Sequence, residues 1–166
     1  MSATFFIGGD ITEVTREQLE QLKQAARQAP LKRARFCLHH SHDDKVQEMV
    51  IAFCRESYVR PHRHIDKSES FHVIEGELLV VFFDDRGRVI RRIKMGTPGS
   101  GYTFLYRLSR DLWHTVVPLS EFVIIHETAA GPFVKEEADV AAWSPHESDA
   151  SGTREFMTRI LTDTEV

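Results

Sequence analysis

Between residues 36 and 128 the chain reads as a succession of short β-type runs, most of them four to eight residues long, each closed by residues that favour turns. The runs cover 36–38, 46–53, 70–74, 78–83, 89–93, 102–108, 113–117 and 122–128. Between them lie His42-Asp43-Asp44, Glu75-Gly76, Asp84-Asp85-Arg86-Gly87, Gly96-Thr97-Pro98-Gly99-Ser100-Gly101 and Ser109-Arg110-Asp111. Strands this short and this closely spaced specify a sandwich, jelly roll or barrel.

The flanks read differently. Thr15-x-x-Gln18 has the form of a capping box, and Leu19, Leu22, Ala25, Ala26 and Ala29 follow at helical spacing until Pro30. After Gly131-Pro132 the β rhythm stops. Residues 141–145 read as an extended segment packed on the barrel exterior, and 153–161 as a last amphipathic piece, helix or tail. The division expected is a helical extension over 1–34, a barrel over 35–133 and a C-terminal extension over 134–166.

A chain of 166 residues buries roughly 70% of its unfolded surface, so it needs neither disulfide nor metal to fold, and any metal is more readily functional than structural. The net charge of −4, with signs interspersed except at Lys32, Arg33 and Arg35, speaks against a nucleic-acid or anionic membrane partner. Cys37 and Cys54 each sit in an apolar run, as reduced thiols of a cytoplasmic protein would. The first residues lack the charged and apolar regions of a signal peptide, and no run has the length of a membrane span.

Nine histidines stand out, and three acquire meaning from spacing. In Pro61-His62-Arg63-His64-Ile65-Asp66-Lys67-Ser68-Glu69, an extended backbone sends His62 and His64 to one side. A turn then returns the chain, and antiparallel pairing of the next strand would set the Glu69 carboxylate beside the imidazoles. A fourth donor is expected from a distant strand, and His114 is the best placed. Three neutral imidazoles and one carboxylate suit one divalent transition metal, Zn, Fe, Mn or Ni, and in a six-coordinate ion they leave two positions open.

His62-x-His64-x4-Glu69-x6-Gly76 resembles the first cupin motif, and His114 resembles the single histidine of the second. The wider set Arg35-Phe36-Cys37-Leu38-His39, Gln47-Glu48-Met49-Val50, Tyr58-Val59-Arg60-Pro61, Glu69-Ser70-Phe71-His72-Val73-Ile74-Glu75-Gly76, Trp113-His114-Thr115-Val116-Val117 and Gly131-Pro132-Phe133 is similar to the WbuC family of cupin-fold metalloproteins. Departures from the cupin pattern are Glu56 at the opening glycine of the first motif, Ser109-Arg110-Asp111 for the Pro-x-Gly of the second, and Pro118 for its trailing asparagine. The resemblance implies a mainly β double-stranded β-helix, or jelly roll, with the metal inside. It also implies a link to polysaccharide biosynthesis, hence a sugar or sugar nucleotide as substrate.

Other residues carry two readings each. Arg60, two before His62, is either a substrate anchor or an exposed edge residue. Arg35, Cys37 and His39 share one strand face. If that face is the interior, Arg35 is a candidate to bind substrate, and His39 a candidate metal ligand or catalytic acid–base. His39 capping the following turn is the competing reading. Met49, Ile51 and Phe53 read as barrel lining, His72 and His126 as structural. Trp113 either walls the cavity or packs the barrel end. The expected function is a metalloenzyme of dioxygenase or isomerase/epimerase type acting on a small polar ligand, a carbohydrate or carboxylate. The alternative is a non-catalytic metal-dependent ligand-binding or sensor module. Association into a homodimer through an edge strand or the N-terminal helix fits either.

Overall fold

The computed structural model describes residues 3–134 and 138–162. Two sheets face each other. One runs β1 (Ala3–Phe6), β2 (Arg33–Cys37), β3 (Val46–Cys54), β10 (Phe122–Ala130), β5 (Glu69–Glu75), β8 (Leu105–Leu108). The other runs β11 (Ala138–Val140), β4 (His62–His64), β9 (Trp113–Pro118), β6 (Glu77–Phe83), β7 (Val89–Gly96). All neighbours are antiparallel except β1 and β2, which are parallel.

Period-two alternation builds three layers of burial. In β3, Met49, Ile51 and Phe53 point between the sheets, where they meet Phe71, Val73, Val80, Val116 and Ile125. Their neighbours Val50, Ala52 and Cys54 point out and lie beneath α1 (Arg16–Gln28), packed by Leu22 and Ala26. On the opposite outer face, Val81, Phe83 and Val117 are covered by Phe156 and Ile160 of α2 (Ala150–Thr162). Burying a leucine or phenylalanine this fully contributes about 1.5–3 kcal/mol each, so both helices are held mainly by one apolar stripe.

The capping box is present: Gln18 N–H donates to Thr15 Oγ1, and the Gln18 side chain accepts from Thr15 N–H. Buried Lys23 ties α1 to the sheet through Glu75 at 2.6 Å. At Gly76 the chain leaves one sheet for the other, with φ +81 and no room for a side chain; a Cβ would lie 2.3 Å from Phe122 O.

The flanking segments are more integrated than appendages would be. The N-terminal residues supply β1, and the C-terminal residues supply β11, which pairs with β4. Residues 141–145 form a turn rather than an extended segment, with the Trp143 ring packed against those of Phe83, Trp113 and Phe156. Trp113 lies on this outer face, its Nε1–H donating to Asp85 and its ring beneath Arg63. Cys37 and Cys54 are free and buried. Among the described residues no helix is long and apolar enough to cross a membrane.

Candidate metal centre

β4 lies between β11 and β9, and His62 stands opposite His114 in the ladder. His64 shares the face of His62 two residues on. One nitrogen of each of the three imidazoles lies within 4.8 Å of those of the other two. Ring centroids are 4.5 Å apart for His62 and His114, and 5.1 Å for His62 and His64.

Local hydrogen bonds fix which nitrogen two of the three rings offer. His62 Nδ1 donates to Arg60 O at 3.0 Å, and His114 Nδ1 donates to Leu112 O at 2.9 Å. In both cases the carbonyl two residues back holds the proton on Nδ1 and leaves the Nε2 lone pair facing inward.

Glu69 reaches the cluster by a different route from the one its position suggests. β4 and β5 belong to opposite sheets and do not pair, so the carboxylate crosses the barrel interior to the histidines. The short connection 65–68 is a passage between sheets, not a hairpin. Glu69 Oε1 lies 2.9 Å from His114 Nε2 and accepts a 3.4 Å hydrogen bond from Tyr106 OH; Oε2 lies 3.6 Å from His64 Nε2.

Burial and charge then set the protonation states. Desolvation alone would raise the Glu69 carboxyl, but His114, His62 and His64 reverse this and bring it down to about 2. Burial, reinforced by the two neighbouring imidazoles, lowers His62 to about 3, and His64 is lowered chiefly by burial. His114 is raised, since Glu69 outweighs the effect of its burial.

The centre opens on a cavity of about 680 Å³, large enough for a small ligand, whose apolar lining includes Met49, Ile51, Phe53 and Val116. Arg35, Cys37 and His39 do face the interior and line it. His39 stands outside the three-imidazole group, with Nδ1 3.0 Å from Glu48 N. Arg60 also borders the cavity, but its guanidinium donates to Ser144 Oγ, Ala141 O and Ser144 O, which fastens the C-terminal turn. His126 pairs with Glu48 at 2.8 Å and His72 meets Phe104 edge-on, both away from the interior.

Glu127 is a cavity residue that the spacing of motifs did not reveal. It is an acid in the apolar strand Val123-Ile124-Ile125-His126-Glu127, in phase with inward Val123 and Ile125, and that parity was the available signal. Desolvation and the charge of Glu69, opposed by Arg35, push its carboxyl up to about 7.

Residues 14–95 match a family model described as a domain of unknown function, DUF6016. No curated protein matches the sequence. Among solved structures the chain is similar to protein SO0799 from Shewanella oneidensis, with 8% identity and a TM-score of 0.50 over 59% of this chain and 63% of that one. It is also similar to Lactobacillus farciminis oxalate decarboxylase in a formate complex (12% identity, TM-score 0.46, 58% of this chain and 27% of that one). A third is CapF with the inhibitor 3-isopropenyl-tropolone (16%, 0.48, 59% and 28%). The chain thus spans less than two thirds of each, and at these identities the likeness is one of fold. The fold is the cupin jelly roll, mainly β, with two helices among the described residues.

Proposed function

We propose that the protein is a metal-dependent cupin in which His62, His64, His114 and Glu69 hold one divalent transition metal at the inner end of the cavity. The observation that carries this reading is the contact between His114 Nε2 and Glu69 Oε1. Both groups are almost fully buried, Nδ1 of His114 is already the donor to Leu112, and Nε2 has no hydrogen-bond partner among the described residues. Two acceptors 2.9 Å apart need a cation between them. A proton on His114 meets that need for one pair; a divalent ion meets it for three imidazoles and the carboxylate together.

A bound ion supplies Lewis-acid polarisation of a ligand oxygen, or dioxygen activation if it is iron. The chain's own contribution is a partly apolar cavity wall, two imidazoles with Nδ1 held as donor, and Glu127, whose carboxyl is poised to take or return a proton near neutral pH. This combination favours metal-assisted proton transfer on a small polar substrate, as in an isomerase or epimerase. The likeness of the motifs to the WbuC family supports a carbohydrate or sugar nucleotide as substrate and a cytoplasmic role in polysaccharide biosynthesis.

The test is elemental analysis of protein purified without added metal, beside His62→Ala and Glu69→Ala. About one transition-metal ion per chain is expected in the wild type and a large loss in both variants. A metal-free wild type, or variants with full occupancy, would overturn the reading. Turnover that requires iron and oxygen would replace the isomerase by an oxygenase, and ligand binding without turnover would make the protein a sensor.

A further inference from the structure

The β2 wall of the cavity carries polar groups that the metal cluster leaves unused. His39 is 6% exposed, and its two nitrogens have different surroundings. His39 Nδ1 lies 3.0 Å from both Glu48 O and Glu48 N; Glu48 O already accepts from Leu38 N–H at 2.8 Å, whereas Glu48 N–H has Nδ1 as its acceptor. A proton on Nδ1 would leave that amide without an acceptor, so Nδ1 accepts and the neutral ring carries its proton on Nε2. This Nε2–H is buried in the cavity wall and has no hydrogen-bond partner among the described residues. A buried donor left unpaired destabilises the fold, and an acceptor on a ligand removes that penalty.

Arg35 stands on the same strand face. Its only hydrogen-bond contact among the described residues is a 3.7 Å one to Met49 Sδ, a weak acceptor. Met49 is the ladder partner of Cys37, so the guanidinium leans along β2 toward the level of Cys37, two residues from His39. Across the sheet, β2 and β5 are three strand spacings apart, on the order of 14 Å before curvature brings them closer. A divalent ion and Arg35 together exceed the negative charge of Glu69 and Glu127, so the interior favours an anion.

We infer that Arg35 and His39 form an oxyanion subsite, binding the carboxylate or phosphate of a small molecule whose other end places oxygens at the metal. The second contact rests on the metal reading above. Phe6 and Phe133, both part-exposed cavity residues packed around His42, frame the entrance beside this subsite.

Calorimetry on the zinc-loaded protein tests this with glycolate, whose carboxylate and hydroxyl are both used up in chelating the metal, and with 3-phosphoglycerate, whose phosphate stays free to reach the wall. The wild type should prefer 3-phosphoglycerate. Arg35→Gln and His39→Phe should each weaken it by about tenfold to a hundredfold, while glycolate affinity and zinc stoichiometry stay unchanged. Because His39→Phe removes the acceptor for Glu48 N–H, imidazole 15N NMR of the wild type supplies a readout free of folding effects: the His39 Nε2–H resonance should move when 3-phosphoglycerate is added. Unchanged affinity in Arg35→Gln, an unmoved resonance, or a wild type that does not prefer 3-phosphoglycerate would overturn the subsite. Zinc that fails to bind the wild type would instead overturn the metal reading, and the resonance shift would still report on the wall.

Discussion

His62 and His114 face each other across adjacent strands with ring centroids 4.5 Å apart, each holding its Nδ1 proton on the carbonyl two residues before it. The same backbone-to-imidazole device occurs in both strands, so the lone pairs of the two rings converge without any help from side chains. Convergent lone pairs in a buried space repel one another unless a cation lies among them, and this gives the centre its stability signature.

Metal should therefore raise the melting temperature of the wild type and not that of a variant lacking the cluster. At free ion 100 times the dissociation constant, the gain is about 2.7 kcal/mol, or roughly 5–10 °C for a chain of this size. Scanning calorimetry with and without a chelator checks it. His62→Ala and His114→Ala should show little difference between the two conditions, and the chelated wild type should remain folded because its core does not depend on the ion.

The pH dependence of the chelated protein follows from shifts of both signs. His62 goes from 6.5 to about 3 on folding, so its contribution is complete above 6.5 and is lost as pH falls toward 3. Glu69 goes from 4.5 to about 2, so its contribution is complete above 4.5 and is lost below. Glu127 goes from 4.5 to about 7 and works the other way, its contribution being complete below 4.5 and lost as pH rises to 7. His114, raised, also contributes most at low pH and loses that contribution as pH rises through its folded value. Urea unfolding in chelator should accordingly give a shallow profile between pH 6.5 and 4.5 and a steep fall below, with a slope of about 1.4 kcal/mol per pH unit for each net proton. Glu127→Gln should steepen the upper range.

Gly76→Ala tests the corner between the sheets. Its left-handed backbone and a Cβ 2.3 Å from Phe122 O combine strain with a clash against main chain. A loss on the order of 1–3 kcal/mol is expected from the backbone conformation alone, read as a lower urea midpoint. Gly99→Ala, where a Cβ meets nothing within 4 Å, should change little.

Arg60→Ala should loosen the C-terminal turn, because three of the guanidinium's hydrogen bonds go to Ala141 and Ser144. Trp143 next to them should become more exposed, with red-shifted fluorescence and faster proteolysis within 141–150. Metal content should fall only modestly, since β11 still pairs with His62 and His64.

The residues of the candidate metal cluster are legible in the sequence, but their means of meeting is not. His62 and His64 share a face by the period of two, a local property of any strand, so their spacing alone foretold it. Glu69 was noticed for the right proximity by the wrong route: antiparallel pairing would have sufficed, whereas the chain passes between sheets and the carboxylate crosses the interior. Glu127 was missed because one acid in an apolar strand has no motif around it, and its meaning depends on which face of β10 looks inward. Arg60 sits beside the ligand strand in sequence, yet residues 141 to 144, more than 80 positions on, take its hydrogen bonds.

By itself the sequence determined the elements and their faces: the capped helix ending before Pro30, the short alternating strands, the glycine corner and the pair of histidines in phase. Those are consequences of local backbone geometry and of side-chain period. Which sheet each strand joins, which carboxylate meets which imidazole, and that β11 closes the far edge of β4, were decided only in three dimensions. Packing two sheets face to face brings together residues whose separation along the chain carries no information about their distance in space.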